Sequence, residues 1–446
     1  MANSYLRRTL GSPTNAKKYT FSVWVKKTQV SLGGSNRYNY LMSYDAGSAV
    51  REHIRFGEND ELTWYSRDSS SNATSLDTNR KFRDTNGYYH IVCQYDSAQG
   101  TASNRKKIYV NGVQETSFSQ SGYPAQNLDS ALNTNSLPIN VGAFGSSSPS
   151  IYFNGYMSHA SFVDGSIVAP TVFGETDSTS GIWKFKSPSG VTWGTNGFHL
   201  KFENSAALGT DSSGQTNTFT VNGNLKQALD TPSNVYATLN PLINPWSGNT
   251  VWSNGNNSVT NSGGSEGSTV TTLGADTGKW YMEMKQGDSN DVYLGIAAET
   301  FVSDNVLNLY SGATHNATTG LLIKASNGTR YVNGSSSAGT FASTGSGDIT
   351  GIAIDLDAAT RTVTFYKNGV ADSQGPQNLP TNMQTGFIFG VAMVLDSSII
   401  HLNTGNGFFG TTAISSAGSN GNGSLFEYSV PSGYYALNTK NINTYG

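Results

Sequence analysis

The sequence contains little charge: 13% of its 446 residues are Asp, Glu, Lys or Arg, about half of the roughly 25% usual in soluble globular proteins. The 27 basic residues nearly balance the 30 acidic ones, so the chain lacks the basic surface that nucleic-acid binding requires. Short basic clusters such as Arg105-Lys106-Lys107 are interpreted as solvated turns. We therefore expect no nucleic-acid partner.

Cysteine and long apolar runs are equally scarce. Cys93 is the single cysteine, which excludes an internal disulfide and a multi-cysteine zinc site. Its segment, YYHIVCQYD, alternates in the manner of a strand and predicts a buried thiol. No stretch approaches the roughly 18 apolar residues of a membrane-spanning helix, and MANSYLRRTLGS lacks the apolar run of a secretory signal. We expect no membrane insertion.

Ser, Thr, Asn and Gly are abundant where other soluble proteins have charged residues. These residue types favour turns and are poor helix formers. Runs with a period of two residues, such as YTFSVWVKK (19–27), YYHIVCQYD (88–96) and ITGIAIDLD (349–357), are separated by these turn formers. Asn-Gly pairs at 111–112, 333–334 and 368–369 lie between β-branched or aromatic runs, the strongest short signal for a β-hairpin. The pattern predicts an all-β chain of sandwiches or barrels.

The strand pattern divides the chain into two domains. We expect a first β-sandwich over 1–229, with appended strands over 175–229, and a second over 246–446, with a C-terminal extension over 411–446. Between them, residues 230–245 contain Pro232, Pro241 and Pro245, and each proline removes a backbone donor and disfavours helix before it. This segment is interpreted as an extended linker. In the second domain, strict alternation around Ile352 and Ile354 predicts one face in the core and one in solvent.

The first region resembles laminin-G-like, concanavalin A-like jelly rolls. YTFSVWVKK, YYHIVCQYD, KKIYVNGV and IYFNGYMSHASFVDG follow the order and spacing of that family's strands, with Tyr88 or Tyr89 where tryptophan is common. The segment FHLKFENSAALGTDSSGQTNTFTV (198–221) resembles the part that usually opens such domains. Its late position implies that it either completes the first sandwich in a permuted order or packs as an added layer.

The second region resembles a SPRY domain, also a concanavalin A-like sandwich, through TGKWYMEMK, YLGIA, ITGIAIDLDAATRTVTFYKNGV and IIHLNTGNGFF. The resemblance implies an all-β fold of two concanavalin A-like jelly-roll β-sandwiches joined by a proline-containing linker. The combination, with DTPSNVYATLNPL between the two regions, resembles virion surface proteins of tailed bacteriophages, especially marine ones.

That resemblance implies a structural, non-enzymatic protein on the surface of a phage particle, made in the host cytoplasm. Capsid decoration or a knob or head-fibre component is favoured, because the sequence has no helical stalk or collagen-like run. The alternative is a tail-fibre or adhesin component that binds host-surface carbohydrate. The expected partners are other virion proteins, sibling copies in a homo-oligomer and possible host-surface glycans.

Some concanavalin A-like sandwiches are glycosidases, so the acidic residues of this sequence are candidates for catalysis or for metal binding. A retaining glycosidase needs two carboxyl groups about 5–5.5 Å apart, and the nearest candidates, Asp355 and Asp357, directly precede a turn, so a structural role is favoured. The acidic cluster ENDE (58–61) offers oxygen ligands for Ca²⁺ but lacks an EF-hand spacing. It is interpreted as a solvated turn, and we expect no catalytic residue, cofactor or bound metal.

Aromatic side chains are the remaining candidates for ligand contact. ELTWYSRD sends Trp64 and Tyr65 to opposite faces of a strand, so one of them is expected to point outward. Tyr38 and Tyr40 lie in the polar segment GSNRYNYLMS. Exposed tyrosine and tryptophan rings stack on sugars, but they also serve in packing and subunit contacts. These four residues are the candidate ligand-binding positions.

Overall fold

The computed structural model describes residues 3–30, 38–47, 50–135, 137–146, 148–243, 250–262, 267–288, 291–300, 320–395 and 397–446. The chain forms two compact units, Met1–Gln227 and Ala228–Gly446. Within the described ranges, no helix combines the length and the apolar character needed to cross a lipid bilayer.

The regular secondary structure of the first unit is almost entirely β-strand. Two short 3-10 helices cover Ala102–Asn104 and Pro170–Val172. The strands are β1 (Tyr5–Arg8), β2 (Lys18–Lys27), β3 (Asn39–Asp45), β4 (Arg51–Phe56), β5 (Glu61–Arg67), β6 (Ala73–Lys81), β7 (Tyr89–Asp96), β8 (Lys106–Val110), β9 (Val113–Gln114), β10 (Phe118–Ser121), β11 (Ile139–Val141), β12 (Ala143–Phe144), β13 (Ser150–Tyr152), β14 (Gly155–Asp164), β15 (Gly174–Thr176), β16 (Trp183–Phe185), β17 (Phe198–Leu200) and β18 (Thr220–Asn222).

Fourteen of these strands form a sandwich of two antiparallel sheets, and the other four form the separate pairs β12-β13 and β15-β16. One has the order β10-β6-β5-β4-β3-β11-β1-β18 and the other β17-β14-β2-β7-β8-β9. Apolar side chains from both sheets meet in one core, including Phe21 and Ile91 from the six-stranded sheet and Ile54 from the eight-stranded sheet. The predicted strands over 19–27 and 88–96 are confirmed as β2 and β7.

The segment 198–222 completes this sandwich. β17 pairs with β14 at the edge of one sheet, and β18 pairs with β1 at the edge of the other. Phe198 and Phe219 are buried in the shared core, with ring centroids 4.8 Å apart. Of the two arrangements expected for this segment, the structure therefore has the one in which it closes the first sandwich.

Lys106, which the basic cluster 105–107 predicts in a solvated turn, lies inside this sandwich. Lys106 is 1% exposed and donates to Ser66 Oγ at 2.6 Å, with its Nζ 4.8 Å from the centroid of the Trp64 ring. Burial lowers the pKa of Lys106 to about 8. The expectation of a solvated turn is wrong here, because the alternation of β8 turns Lys106 inward with Ile108. Cys93 is buried, as predicted.

The second unit is also a β-structure, with one 3-10 helix at Thr381–Met383 and an α-helix, α1 (Thr439–Tyr445). Its strands are β19 (Thr250–Ser253), β20 (Ser258–Asn261), β21 (Gly267–Val270), β22 (Lys279–Gln286), β23 (Val292–Ala298), β24 (Gly320–Lys324), β25 (Thr329–Val332), β26 (Ser335–Thr340), β27 (Ile349–Asp355), β28 (Thr362–Lys367), β29 (Val370–Ala371), β30 (Gln377–Asn378), β31 (Ile388–Val394), β32 (Ile399–Asn403), β33 (Phe408–Phe409), β34 (Thr412–Ala413) and β35 (Tyr435–Ala436).

Two sheets again enclose the core of this unit. One follows the path β19-β20-β32-β22-β27-β28-β29, with β30 and β35 joined to it, and the other has the order β21-β31-β23-β24-β25-β26. The Asn-Gly pairs predicted as hairpin turns have positive φ at both positions, 49° and 79° at Asn368-Gly369 and 49° and 80° at Asn111-Gly112. The predicted all-β fold of two sandwiches is confirmed.

Residues 230–243 differ from the extended linker expected over 230–245. Tyr236 and Leu239 are 3% and 0% exposed and belong to apolar clusters of the second unit. Their backbones bridge to Asn438 and Thr271. The segment contains no helix, as its prolines predict. Its apolar side chains are buried in the core of the second unit, so the segment packs against that unit and is not a free linker. The expected domain start at residue 246 lies outside the described residues.

The C-terminal extension covers one face of β27. Ile352, Ile354 and Leu356 face the core, as the alternation predicts. Ala353, on the opposite face, is only 1% exposed, because Phe426 and other side chains of the extension pack over it. The solvent face expected for this strand is therefore covered at Ala353.

Glu283 on β22 fixes this extension by hydrogen bonds. Its carboxyl group accepts from the backbone N–H groups of Glu427 and Tyr428, both at 2.9 Å, and from Asn403 Nδ2 at 3.3 Å. The side chain is 0% exposed. Burial raises the pKa of Glu283 from 4.5 to about 7, against the opposing effect of the two backbone donors.

This shift predicts a pH-dependent stability of the second unit. Between about pH 4.5 and about 7 the folded chain holds a proton at Glu283 that the unfolded chain has released. Stability should therefore fall as pH rises through this window, by up to about 3 kcal/mol. Urea unfolding across the window tests this, comparing the chain with Glu283→Gln and with the exposed control Glu299→Gln. An identical pH slope in Glu283→Gln and the unchanged chain would refute the assignment.

Candidate functional site

The outer surface of the eight-stranded sheet carries an unusual set of side chains. In β4, Glu52, Ile54 and Phe56 are buried on the core side, so the intervening side chains face outward. β5 pairs with β4 and follows the same alternation. We define the Tyr-Arg face as the outward group that these strands and their neighbours form: Tyr38, Tyr40, Arg51, His53, Arg55, Tyr65, Arg67 and Phe144.

His53 lies at the centre of the Tyr-Arg face. Its ring stacks on Tyr65, with centroids 5.0 Å apart and planes 14° apart, and meets Tyr40 edge-on at 5.2 Å. Phe144, from β12, covers Tyr40 at 4.8 Å. This packing leaves His53 6% exposed. Burial and the nearby Arg55 hold the pKa of His53 well below its usual range, so the ring is neutral.

Arg55 orders the tyrosines at the margin of the face. Its guanidinium carbon lies 3.7 Å from the centroid of the Tyr38 ring, within the range of a cation–π contact. One guanidinium nitrogen donates to the Tyr40 hydroxyl at 3.1 Å. Tyr40 is almost fully buried, and burial raises the pKa of its hydroxyl. Tyr38 and Tyr65 remain half-buried, so ring surface is available at both.

The structure separates the four predicted ligand-binding residues into two groups. Tyr38, Tyr40 and Tyr65 come together on the Tyr-Arg face, although Tyr40 is mostly covered. Trp64 is 0% exposed and its Nε1 donates to Glu52 at 3.1 Å in the core. Its assignment as a ligand contact is wrong, because the register of β5 turns Trp64 inward and Tyr65 outward.

Sequence reasoning missed His53, Arg55 and Phe144. The alternation in REHIRF (51–56) was a usable signal, since it places Arg51, His53 and Arg55 on one face if Ile54 is buried. Phe144 had no such signal, because a separate strand brings it over Tyr40.

The acidic residues considered for catalysis serve in turns. Asp355 forms an ion pair with Lys279 at 2.8 Å and accepts from the backbone N–H groups of Asp357 and Ala358 at 3.1 and 3.0 Å. Asp357 accepts from the backbone N–H of Gly278 at 2.7 Å. Both carboxylates are thus bound to groups that hold the ends of β22 and β27 together.

The acidic cluster at 58–61 is partly an ion-pair site. Asp60 is 0% exposed, pairs with the buried Lys27, and accepts from Arg83 Nε at 3.1 Å. The interpretation as a solvated turn is therefore wrong for Asp60, because the unpaired ammonium of Lys27 would be costly in the core. Over the described ranges, no group of three or more His, Cys, Asp or Glu side chains is placed to hold a metal ion.

The opposite orientations of Trp64 and Tyr65 predict unequal effects on stability. Trp64→Ala leaves a large cavity and removes one of the two hydrogen bonds to Glu52 Oε1, and should lower the free energy of unfolding of the first unit by about 3–5 kcal/mol. Tyr65→Ala removes one ring stack on the surface and should cost about 1 kcal/mol. Urea unfolding of the two variants is the measurement, and equal losses would contradict the observed register.

Comparison with known proteins agrees with this architecture in the first unit. A family model described as the Concanavalin A-like lectin/glucanases superfamily matches residues 2–173. No curated protein matches the chain.

Solved structures that the chain matches include SPRY domains and a pentraxin. The SPRY domain of human HERC1 is 18% identical with a TM-score of 0.29, over 37% of this chain and 96% of that chain. A second human SPRY domain is 20% identical with a TM-score of 0.26, over 34% and 94%. A SAP-like pentraxin from Limulus polyphemus is 11% identical with a TM-score of 0.31, over 49% and 85%. The residues that this family model matches, 2–173, lie in the first unit and include the laminin-G-like motifs.

Proposed function

We propose that the chain is a structural, non-enzymatic protein displayed on the surface of a tailed-bacteriophage particle, as capsid decoration or as a knob or head-fibre component. The absence of enzymatic activity is proposed because the candidate catalytic carboxylates are all bound to other groups of the chain. Asp355 and Asp357 hold a turn, and Asp60 neutralises a buried lysine. A glycosidase needs one carboxyl free to donate a proton and another free to attack or to activate water.

The placement on a particle rests on the motifs of the two regions and the segment between them, which resemble virion surface proteins. The composition supports it. With 13% charged residues, the surface offers mainly hydroxyl and amide groups, which suit neutral hydrogen bonds to other virion proteins and to sibling copies in a homo-oligomer. Such contacts are screened little by salt, because few of them involve charge.

Particle labelling tests this proposal. Antibodies against the purified chain should label intact particles of the virus that encodes it, at the head, when viewed by electron microscopy. The label should persist after washing at low and at moderate salt, since the contacts are mainly uncharged. Absence of the chain from purified particles would overturn the proposal, and labelling confined to the tail would overturn the head placement.

The Tyr-Arg face supports a second function, the binding of host-surface carbohydrate by a tail-fibre or adhesin component. Tyr38 and Tyr65 present half-buried rings whose positions are fixed by Arg55 and His53. Rigid aromatic surfaces flanked by hydrogen-bond donors suit sugars, which offer apolar C–H faces and hydroxyl groups. The ring contacts of His53 with Tyr40 and Tyr65 hold these tyrosines in place before a ligand binds.

A glycan array tests this second function. The chain should bind a subset of bacterial surface glycans, and Tyr65→Ala should weaken that binding by about tenfold, because stacking on an aromatic ring is lost. Tyr109→Ala provides the matched control, since Tyr109 is a half-buried tyrosine on the opposite sheet, at β8. Equal binding by the chain and by Tyr65→Ala would contradict a role for the Tyr-Arg face.

A further inference from the structure

Two arginines oppose each other on the Tyr-Arg face. Arg51 on β4 and Arg67 on β5 are direct partners in the antiparallel register. Like charges directly opposite each other across two strands destabilise a sheet. Asp45 forms an ion pair with Arg51 Nε at 2.9 Å. Arg67 has no ion pair within the part of the chain that the structure describes, so its charge is uncompensated there.

Several polar atoms of the same face also lack partners. The Nε atoms of Arg55 and Arg67 and both ring nitrogens of His53 are buried without a hydrogen bond to any described group. Unsatisfied buried groups are rare in native proteins, and each lowers stability. Asp77 on the neighbouring strand β6 accepts from Ser75 Oγ at 2.6 Å, and no ion pair joins it to Arg55 or Arg67 among the described residues.

This arrangement contrasts with the rest of the chain. Only 13% of the residues are charged, yet three arginines project from one face of two adjacent strands, around an aromatic centre. Placing like charges side by side on a sheet lowers stability, and most of this sequence avoids charge. Natural proteins depart from such stability rules mainly at functional sites.

We propose that the Tyr-Arg face binds an acidic polysaccharide, whose carboxylate or sulfate groups pair with Arg55 and Arg67 while a sugar ring lies on Tyr65. This inference rests on the carbohydrate-binding function above and assigns its ligand class. A planar guanidinium group binds a carboxylate or sulfate through two parallel hydrogen bonds. An anion bound at Arg67 also supplies the counter-charge that no described group provides, whereas Arg51 already has one in Asp45.

Binding of the full-length chain to three polymers tests the inference. Affinity electrophoresis at low salt would compare polygalacturonate, which carries carboxylates, dextran sulfate, which carries sulfates, and neutral dextran. The chain should bind one or both polyanions and not neutral dextran, and moderate salt should weaken the binding. Arg67→Gln should weaken it about tenfold or more, the size expected for loss of a charge-assisted pair.

Lys107→Gln is the matched control, because it removes one cation from the opposite sheet, where Lys107 alternates with the buried Lys106. Arg67→Gln relieves the opposition to Arg51, so it should unfold at the same or a higher urea concentration. If Arg67→Gln and Lys107→Gln weakened polyanion binding equally, the binding would be nonspecific attraction between opposite charges, and the inference would be overturned. Neutral dextran binding that is unaffected by Arg67→Gln would overturn the acidic ligand class but leave carbohydrate binding standing. Absence of binding to any glycan would overturn both.

Discussion

The first sandwich depends on one buried carboxylate, that of Glu52. It accepts from Tyr19 Oη of the facing sheet at 2.9 Å, from Trp64 Nε1 of the adjacent strand at 3.1 Å, and from Ser130 Oγ at 2.6 Å. The backbone N–H groups of Ala131 and Leu132 donate to the same oxygen as Ser130. Glu52 thus joins two sheets and a connecting loop from inside the core. A buried charge is costly unless its hydrogen bonds are satisfied, so these donors must all be in place when the sandwich closes.

This hydrogen bonding also determines what the outside of the sandwich presents. Because side chains alternate along a strand, a shift of one residue would exchange the two faces of β4 or β5. With Glu52 and Trp64 held inside, His53, Arg55 and Tyr65 must point outward. The Tyr-Arg face is therefore a consequence of the core. Its strain, seen in the opposed arginines and the unpaired nitrogens, is tolerated because the interior register is so strongly specified.

Sequence patterns predicted the strands and hairpins well, since period-two alternation and Asn-Gly turns depend on local stereochemistry. β2, β7 and β27 fall where the alternation places them, and Cys93 is buried as expected. The pattern could divide Trp64 from Tyr65 but could not say which one faces the core, because that choice rests on Glu52, which lies on a different strand. The burial of residues 230–243 and the cover over Ala353 were equally inaccessible, because both depend on contacts between segments far apart in the chain.

The central claim is that the strand register set in the core turns the arginines of the Tyr-Arg face outward, where they bind acidic polysaccharide. Arginine footprinting tests this claim most directly. Phenylglyoxal modification of the full-length chain would be mapped by mass spectrometry with and without polygalacturonate and, in a parallel sample, dextran sulfate. The account predicts that a bound polymer protects Arg55 and Arg67, while Arg83, whose side chain is 58% exposed and lies outside the Tyr-Arg face, stays as reactive as before. Unchanged modification of Arg55 and Arg67 in the presence of both polymers, or equal protection of Arg83, would contradict it.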